Sequence, residues 1–103
     1  MKKTYQLVIT AKEIRGKCPV FRVGDKIVVE EPRIVPEKTD ALCIHALGSM
    51  LSMLIALSRG VGFKELGLTK EDDNVGYVQC LDPGFPYTPG GTVVFEIRRQ
   101  EME

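Results

Sequence analysis

The chain has 103 residues, of which 44% are hydrophobic and 27% charged, and its 14 basic residues balance 14 acidic ones. That length fits one domain able to bury its own core, and the apolar content excludes a disordered chain. The charge balance lacks the basic excess by which a nucleic-acid binder neutralises phosphates. Residues 1–103 are therefore read as a single domain, with no nucleic acid expected as a partner.

In chain order, Tyr5 to Ile14 alternates, with Tyr5, Leu7, Ile9 and Ala11 on one face, as in a half-buried strand. Arg15-Gly16-Lys17 breaks the pattern, and Val23-Gly24-Asp25-Lys26 has turn chemistry. Lys26 to Glu31 is dense in β-branched residues and predicts a second strand. Pro32 and Pro36 then mark a connecting segment. Asp40 is placed to cap a long helix that runs through Leu42, Leu47, Leu51, Leu54 and Leu57, with Gly60 just past its end. Apolar residues occupy nearly every face of that helix, so one sheet cannot cover it all, and Met50 and Met53 are read as core residues or, alternatively, as a dimer seam.

Phe63 to Leu68 predicts a short helix closed by Gly67, and Thr69 to Asn74 a solvated loop. Val75 to Leu81 predicts a third strand. Asp82 to Gly91 is too rich in proline and glycine for regular structure and offers X-Pro bonds that can be cis. Thr92 to Arg99 predicts the fourth strand, with Val93, Phe95 and Ile97 pointing inward, and Gln100 to Glu103 should fray. The expected fold is α+β: a four-stranded, mostly antiparallel sheet with one long helix and a short helix, in the order β-β-α-α-β-β.

The apolar run from Ala41 to Leu57 is short for a membrane span and is interrupted by His45, Gly48, Ser49 and Ser52, so no membrane is expected as a partner. Met1-Lys2-Lys3-Thr4 lacks the apolar stretch and cleavage site of a secretory signal. The three cysteines, Cys18, Cys43 and Cys80, are odd in number and widely spaced, which is not a disulfide framework. A cytoplasmic location, where thiols stay reduced, is the expectation.

Those cysteines are the first candidate site. Three thiolates can supply three corners of a tetrahedral zinc site or hold an iron–sulfur centre. The competing reading is three small buried hydrophobes, since no C-x-x-C pair is present. His45 is the sole histidine. Inside a helix, Cys43 and His45 would lie about 200° apart and could not share an ion unless the helix began later. The loop Asp82–Gly91 is a second candidate, with Phe85 and Tyr87 as walls of a small-molecule pocket or as caps on the core. Gly24-Asp25 and Gly90-Gly91 are read as turn chemistry. No phosphate-binding glycine loop and no nucleophile elbow occurs, so no motif assigns a reaction.

Gly16-Lys17-Cys18-Pro19, Val23-Gly24-Asp25, Leu42-Cys43-Ile44-His45-Ala46-Leu47, Gln79-Cys80-Leu81-Asp82-Pro83 and Val93-Val94-Phe95-Glu96-Ile97 together resemble the TIGR04076-type family of small prokaryotic proteins. The resemblance covers nearly the whole chain and includes all three cysteines. It implies one compact domain and transfers no activity, because the family has none assigned. Relatives often carry a Gly-His pair where this chain has Val20-Phe21, so a histidine ligand at that place is not available here.

Two functions follow as expectations. The first is a small thiol- or metal-binding domain that uses Cys18, Cys43 and Cys80, with His45 as an outer candidate and zinc or an iron–sulfur centre as the cofactor. The alternative is a non-enzymatic, homo-oligomeric interaction module that uses the apolar helix and the proline-rich loop.

Overall fold

The first and last strands meet in the middle of the sheet. In a computed structural model, which describes residues 4–102, β1 (Thr4–Arg15) runs antiparallel to β5 (Thr92–Met102). β2 (Lys26–Glu30) flanks β1, and β4 (Val75–Gln79) flanks β5. A two-residue strand, β3 (Arg33–Ile34), lies outside β2, so the strand order is β3-β2-β1-β5-β4 and every pairing is antiparallel. One α-helix, α1 (Ile44–Ser58), packs on one face against β1, β4 and β5.

Alternation in the strands produces that core. Leu7, Ile9 and Ala11 point from β1 toward α1 and are fully buried. Leu7 and Ile9 stand opposite Val29 and Ile27 on one side, and Ile9 and Ala11 opposite Ile97 and Phe95 on the other. Such cross-strand apolar pairs are the unit of sheet stability. The register of β1 against β5 slips between Ala11 and Glu13, leaving Lys12 as the extra residue of a bulge. A strand has a period of two, so without the bulge Glu13 would face the core; with it, Ile14 packs there instead, opposite Val93. From the helix, Ala46, Met50, Leu54 and Leu57 form the buried stripe, at spacings of four, four and three.

Several expectations are corrected. The sheet has five strands, because the chain reverses at Glu31-Pro32 and Arg33 and Ile34 pair back onto Glu30 and Val29. The short helix at Phe63–Leu68 does not form, so the order β-β-α-α-β-β fails. The Leu68 N–H bonds to the Phe63 carbonyl, and the segment stops at Gly67, whose φ is +73°. One turn fixes several dihedrals for very few hydrogen bonds. The Leu68 carbonyl instead accepts the Tyr77 N–H, tying the segment to the outer edge of β4.

The long helix begins at Ile44, not after Asp40. The Asp40 carboxylate accepts the Lys26 N–H at 3.0 Å, and the Asp40 N–H bonds to the Lys26 carbonyl at 2.8 Å, which fastens Asp40 to β2. Met50 is fully buried, so it belongs to the core and not to a dimer seam. At the other end, β5 continues through Met102 because Gln100, Glu101 and Met102 pair with Gln6, Tyr5 and Thr4, where fraying was expected. Glu103 and Met1-Lys2-Lys3, also covered by expectations above, lie outside the described residues. Among the described residues, no helix is long and apolar enough to cross a membrane.

Candidate functional site: a cavity lined by three thiols

Cys18 follows β1, Cys43 precedes α1 and Cys80 follows β4, and all three line one cavity of about 330 Å³. His45 and Asp82 share its wall, and Phe21, Ala46 and Val93 supply apolar lining. Cys80 is buried, while Cys18 and Cys43 are half-buried.

Each thiol is placed by a different local device. After Cys18 comes Pro19, which has no N–H, and the chain then folds back so that the N–H groups of Val20 and Phe21 both point at the Cys18 sulfur, at 3.4 and 3.3 Å. Phe21 anchors this turn by burying its ring edge-on against Phe95, with centroids 5.1 Å apart. Cys80 continues the ladder beyond β4: its N–H bonds to the Val93 carbonyl, and its sulfur accepts the Val93 N–H at 3.3 Å. Cys43 is the N-cap of α1, in extended conformation, with no hydrogen bond from its side chain to the helix end.

The late start of α1 changes the geometry of Cys43 and His45. Cys43 lies before the first helical turn, so the angular separation expected inside a helix does not apply, and both side chains reach the same cavity.

Glycines close the cavity on its remaining side. Gly90 and Gly91 have φ near +104° and +105° and press against Gly16 and Lys17; a Cβ on Gly91 would stand 2.6 Å from the Lys17 carbonyl oxygen. The Gly91 N–H bonds to the Arg15 carbonyl at 2.9 Å. This backbone-to-backbone approach brings the Cys18 segment beside Cys80. Gly90-Gly91, read from the sequence as turn chemistry, therefore also shapes the site.

Asp82 was not singled out as a site residue. It begins an Asx turn in which its carboxylate accepts the Thr88 hydroxyl and, at 2.8 Å, the Gly84 N–H. The Thr88 hydroxyl and the Gly84 N–H hold the Asp82 carboxyl below the usual carboxylate range, against an opposing effect of burial and with a still smaller contribution from nearby His45. A carboxyl depressed in the folded state stabilises above its unfolded value, about 3.9, and that contribution is lost as pH falls through the folded value. Amide protection at Gly84 and Gly90, measured by hydrogen exchange against intrinsic rates, should hold at neutral pH and fall once Asp82 is protonated. In Asp82→Asn this acid-dependent loss should disappear; an unchanged pH profile in that variant would contradict the assignment. The Asx signal Asp-Pro-Gly was legible in the sequence, but its position beside His45 was not.

Phe85 and Tyr87 lie at the surface of the loop. They are 85% and 83% exposed. A separate cavity of about 320 Å³ between the loop and Arg15-Gly16 has Phe85 in its wall and not Tyr87. The peptide bonds Phe85-Pro86 and Glu31-Pro32 are cis. A larger open cleft outside β4 is lined by Lys70, Glu71, Asp72 and Arg98 and contains no thiol or imidazole.

Among the described residues, no three His, Cys, Asp or Glu side chains are arranged to hold a single metal ion. The thiols therefore share a compartment without forming a ready-made site for one ion. Comparison of the chain with family models, curated proteins and solved structures gave no significant match.

Proposed function

We propose that this chain is a small thiol-site protein in which Cys18, Cys43 and Cys80 together bind a metal centre in a reducing compartment. The observation that carries the reading is the convergence of three thiols, from segments far apart in sequence, on one cavity. Cys18 and Cys43 are half-buried on the wall of that cavity, not packed out of reach in the core. The N–H groups aimed at two of the sulfurs support it further, since hydrogen bonds to sulfur are a recurring part of metal–thiolate sites.

Alkylation tests it. In protein isolated without oxygen, Cys18 and Cys43 should resist iodoacetamide together, and a strong chelator should expose both to modification, as read by mass spectrometry. Equal labelling with and without the chelator would contradict a shared metal site.

One observation favours the second reading, a homo-oligomer. Ile44, Leu51 and Ile55 are 81%, 50% and 48% exposed and lie on one stripe of α1, which has no charged residue over its length. Apolar stripes of this kind mark interaction surfaces. A dimer by light scattering that becomes monomeric in Leu51→Glu would support it; a wild-type monomer at high concentration would contradict it.

A further inference from the structure

We propose that the chain forms a two-fold dimer in which α1 of one copy packs antiparallel against α1 of the other, with Leu51 of each copy seated on the partner's Gly48. This rests on the reading of the apolar stripe of α1 as a homo-oligomer surface, and it names the pairing that buries the stripe.

Gly48 carries the inference. It lies inside α1, where glycine is the poorest helix former after proline. Its own chain does not call for a glycine there: φ is not positive, and a Cβ built on it would meet nothing within 4 Å. Gly76 is the contrast, because there the Phe63 ring fills the space a Cβ would take. An exposed helical glycine with open space above it fits the close approach of a body from outside the chain.

The stripe around Gly48 is complementary to itself. Ile44, Gly48, Leu51 and Ile55 are all exposed and recur at spacings of four, three and four. That is the period of about 3.5 residues by which two helices pack at a shallow angle of about 20°. The order is also palindromic. When a second α1 runs antiparallel with position 44 facing 55, position 48 faces 51. Each Leu51 then meets a glycine, and each Ile44 meets an isoleucine. A two-fold interface requires such self-complementarity. A parallel pairing would set glycine on glycine and leucine on leucine.

Charge agrees with the antiparallel arrangement. α1 contains no Asp, Glu, Lys or Arg, so its poles are its ends, positive at the N-terminus and negative at the C-terminus. Running two copies in opposite directions puts each end beside its opposite. The helix also leaves a shoulder open. It packs against β1, β4 and β5, and beside Leu51 and Ile55 an apolar groove of about 180 Å³ extends to Pro32 and Ile34. The partner's Ile44, set opposite Ile55, is placed to fill it. A helix about 22 Å long and about 10 Å wide covers less than the roughly 800 Å² per partner of a standard interface. The dimer should therefore be reversible, with a Kd on the order of 10 μM.

Sedimentation equilibrium of the untagged chain, kept reduced and run from about 1 μM to about 1 mM, tests the pairing. Gly48→Leu should weaken the dimer at least about tenfold. The Tm of the dilute monomer should not fall in that variant, because the new side chain enters open space and leucine is the better helix former. Gly48→Ala adds a single methyl group and should weaken the dimer about threefold. The exchanged variant Gly48→Leu/Leu51→Gly should return to within about threefold of the wild-type Kd, since leucine again faces glycine.

Dimerisation indifferent to both substitutions of Gly48 would overturn the pairing, while loss of the dimer in Leu51→Glu would still place the oligomer surface on the stripe. No recovery in the exchanged variant would overturn the antiparallel register. A wild-type chain that stays monomeric at about 1 mM would overturn the pairing and the homo-oligomer reading together, and would leave the stripe to a different protein.

Discussion

Alanine at position 76 is expected to destabilise the fold by about 3 kcal/mol, at the upper end of what overpacking a core costs. A Cβ built on Gly76 would stand 2.1 Å from Cδ1 and 2.8 Å from Cε1 of the Phe63 ring, with Leu68 Cβ at 3.1 Å. The ring has nowhere to retreat. It is fully buried, and the Arg99 guanidinium lies over it at 5.2 Å. Gly76 is therefore needed for the close approach of a ring to the backbone of β4. Urea denaturation should show a lower midpoint for Gly76→Ala. The double variant Phe63→Ala/Gly76→Ala should cost little more than Phe63→Ala alone, because removing the ring removes the clash. An unchanged midpoint in the single variant, or full additivity in the double, would contradict this packing.

Arg99→Met should cost about 3 kcal/mol, since it strips the Val61 and Asp73 carbonyls of this donor and leaves the Leu57 carbonyl to the Gly60 N–H. From β5 the guanidinium donates to the Leu57 carbonyl at 3.1 Å in the last turn of α1, to the Val61 carbonyl just past the helix, and to the Asp73 carbonyl at 2.8 Å. It also lies over the Tyr5 ring at 4.7 Å. Helix ends carry carbonyls with no partner inside the helix and a partial negative charge, which a cation satisfies. Arg99 thus fastens the C-terminus of α1, the segment before β4 and the central strands to one another. Lysine has no planar fork and cannot reach all three carbonyls, so Arg99→Lys should recover less than half of the loss. Full recovery by lysine would show that charge alone matters and that the fork geometry does not.

Much of this architecture was legible in the residues, for reasons that differ between elements. β1, β2, β4 and β5 carry their periodicity in the sequence, and Gly60 marked the end of α1. The start of α1 was misplaced because the Asp40 carboxylate, a good local cap, has a stronger claim on it from Lys26, 14 residues away. β3 was missed because two residues carry no period. The β1–β5 pairing that centres the sheet joins the two ends of the chain, and no local signal encodes it.

The site was half legible. The three cysteines could be named, but their convergence depends on that central pairing, on the bulge at Lys12 and on the backbone contact of Gly16 with Gly90 and Gly91. Only a helix already under way at Cys43 would hold Cys43 and His45 on opposite sides, and α1 begins one residue later. Asp82 joined the site only when the loop's turn placed it beside His45.

The central claim is that three thiols hold one metal centre, and elemental analysis of untagged protein purified without oxygen tests it most directly. The account predicts zinc or iron in a fixed ratio to the chain, lost in a folded Cys43→Ser variant. Protein that carries no metal, with Cys18 and Cys43 reacting as two ordinary thiols, would contradict it.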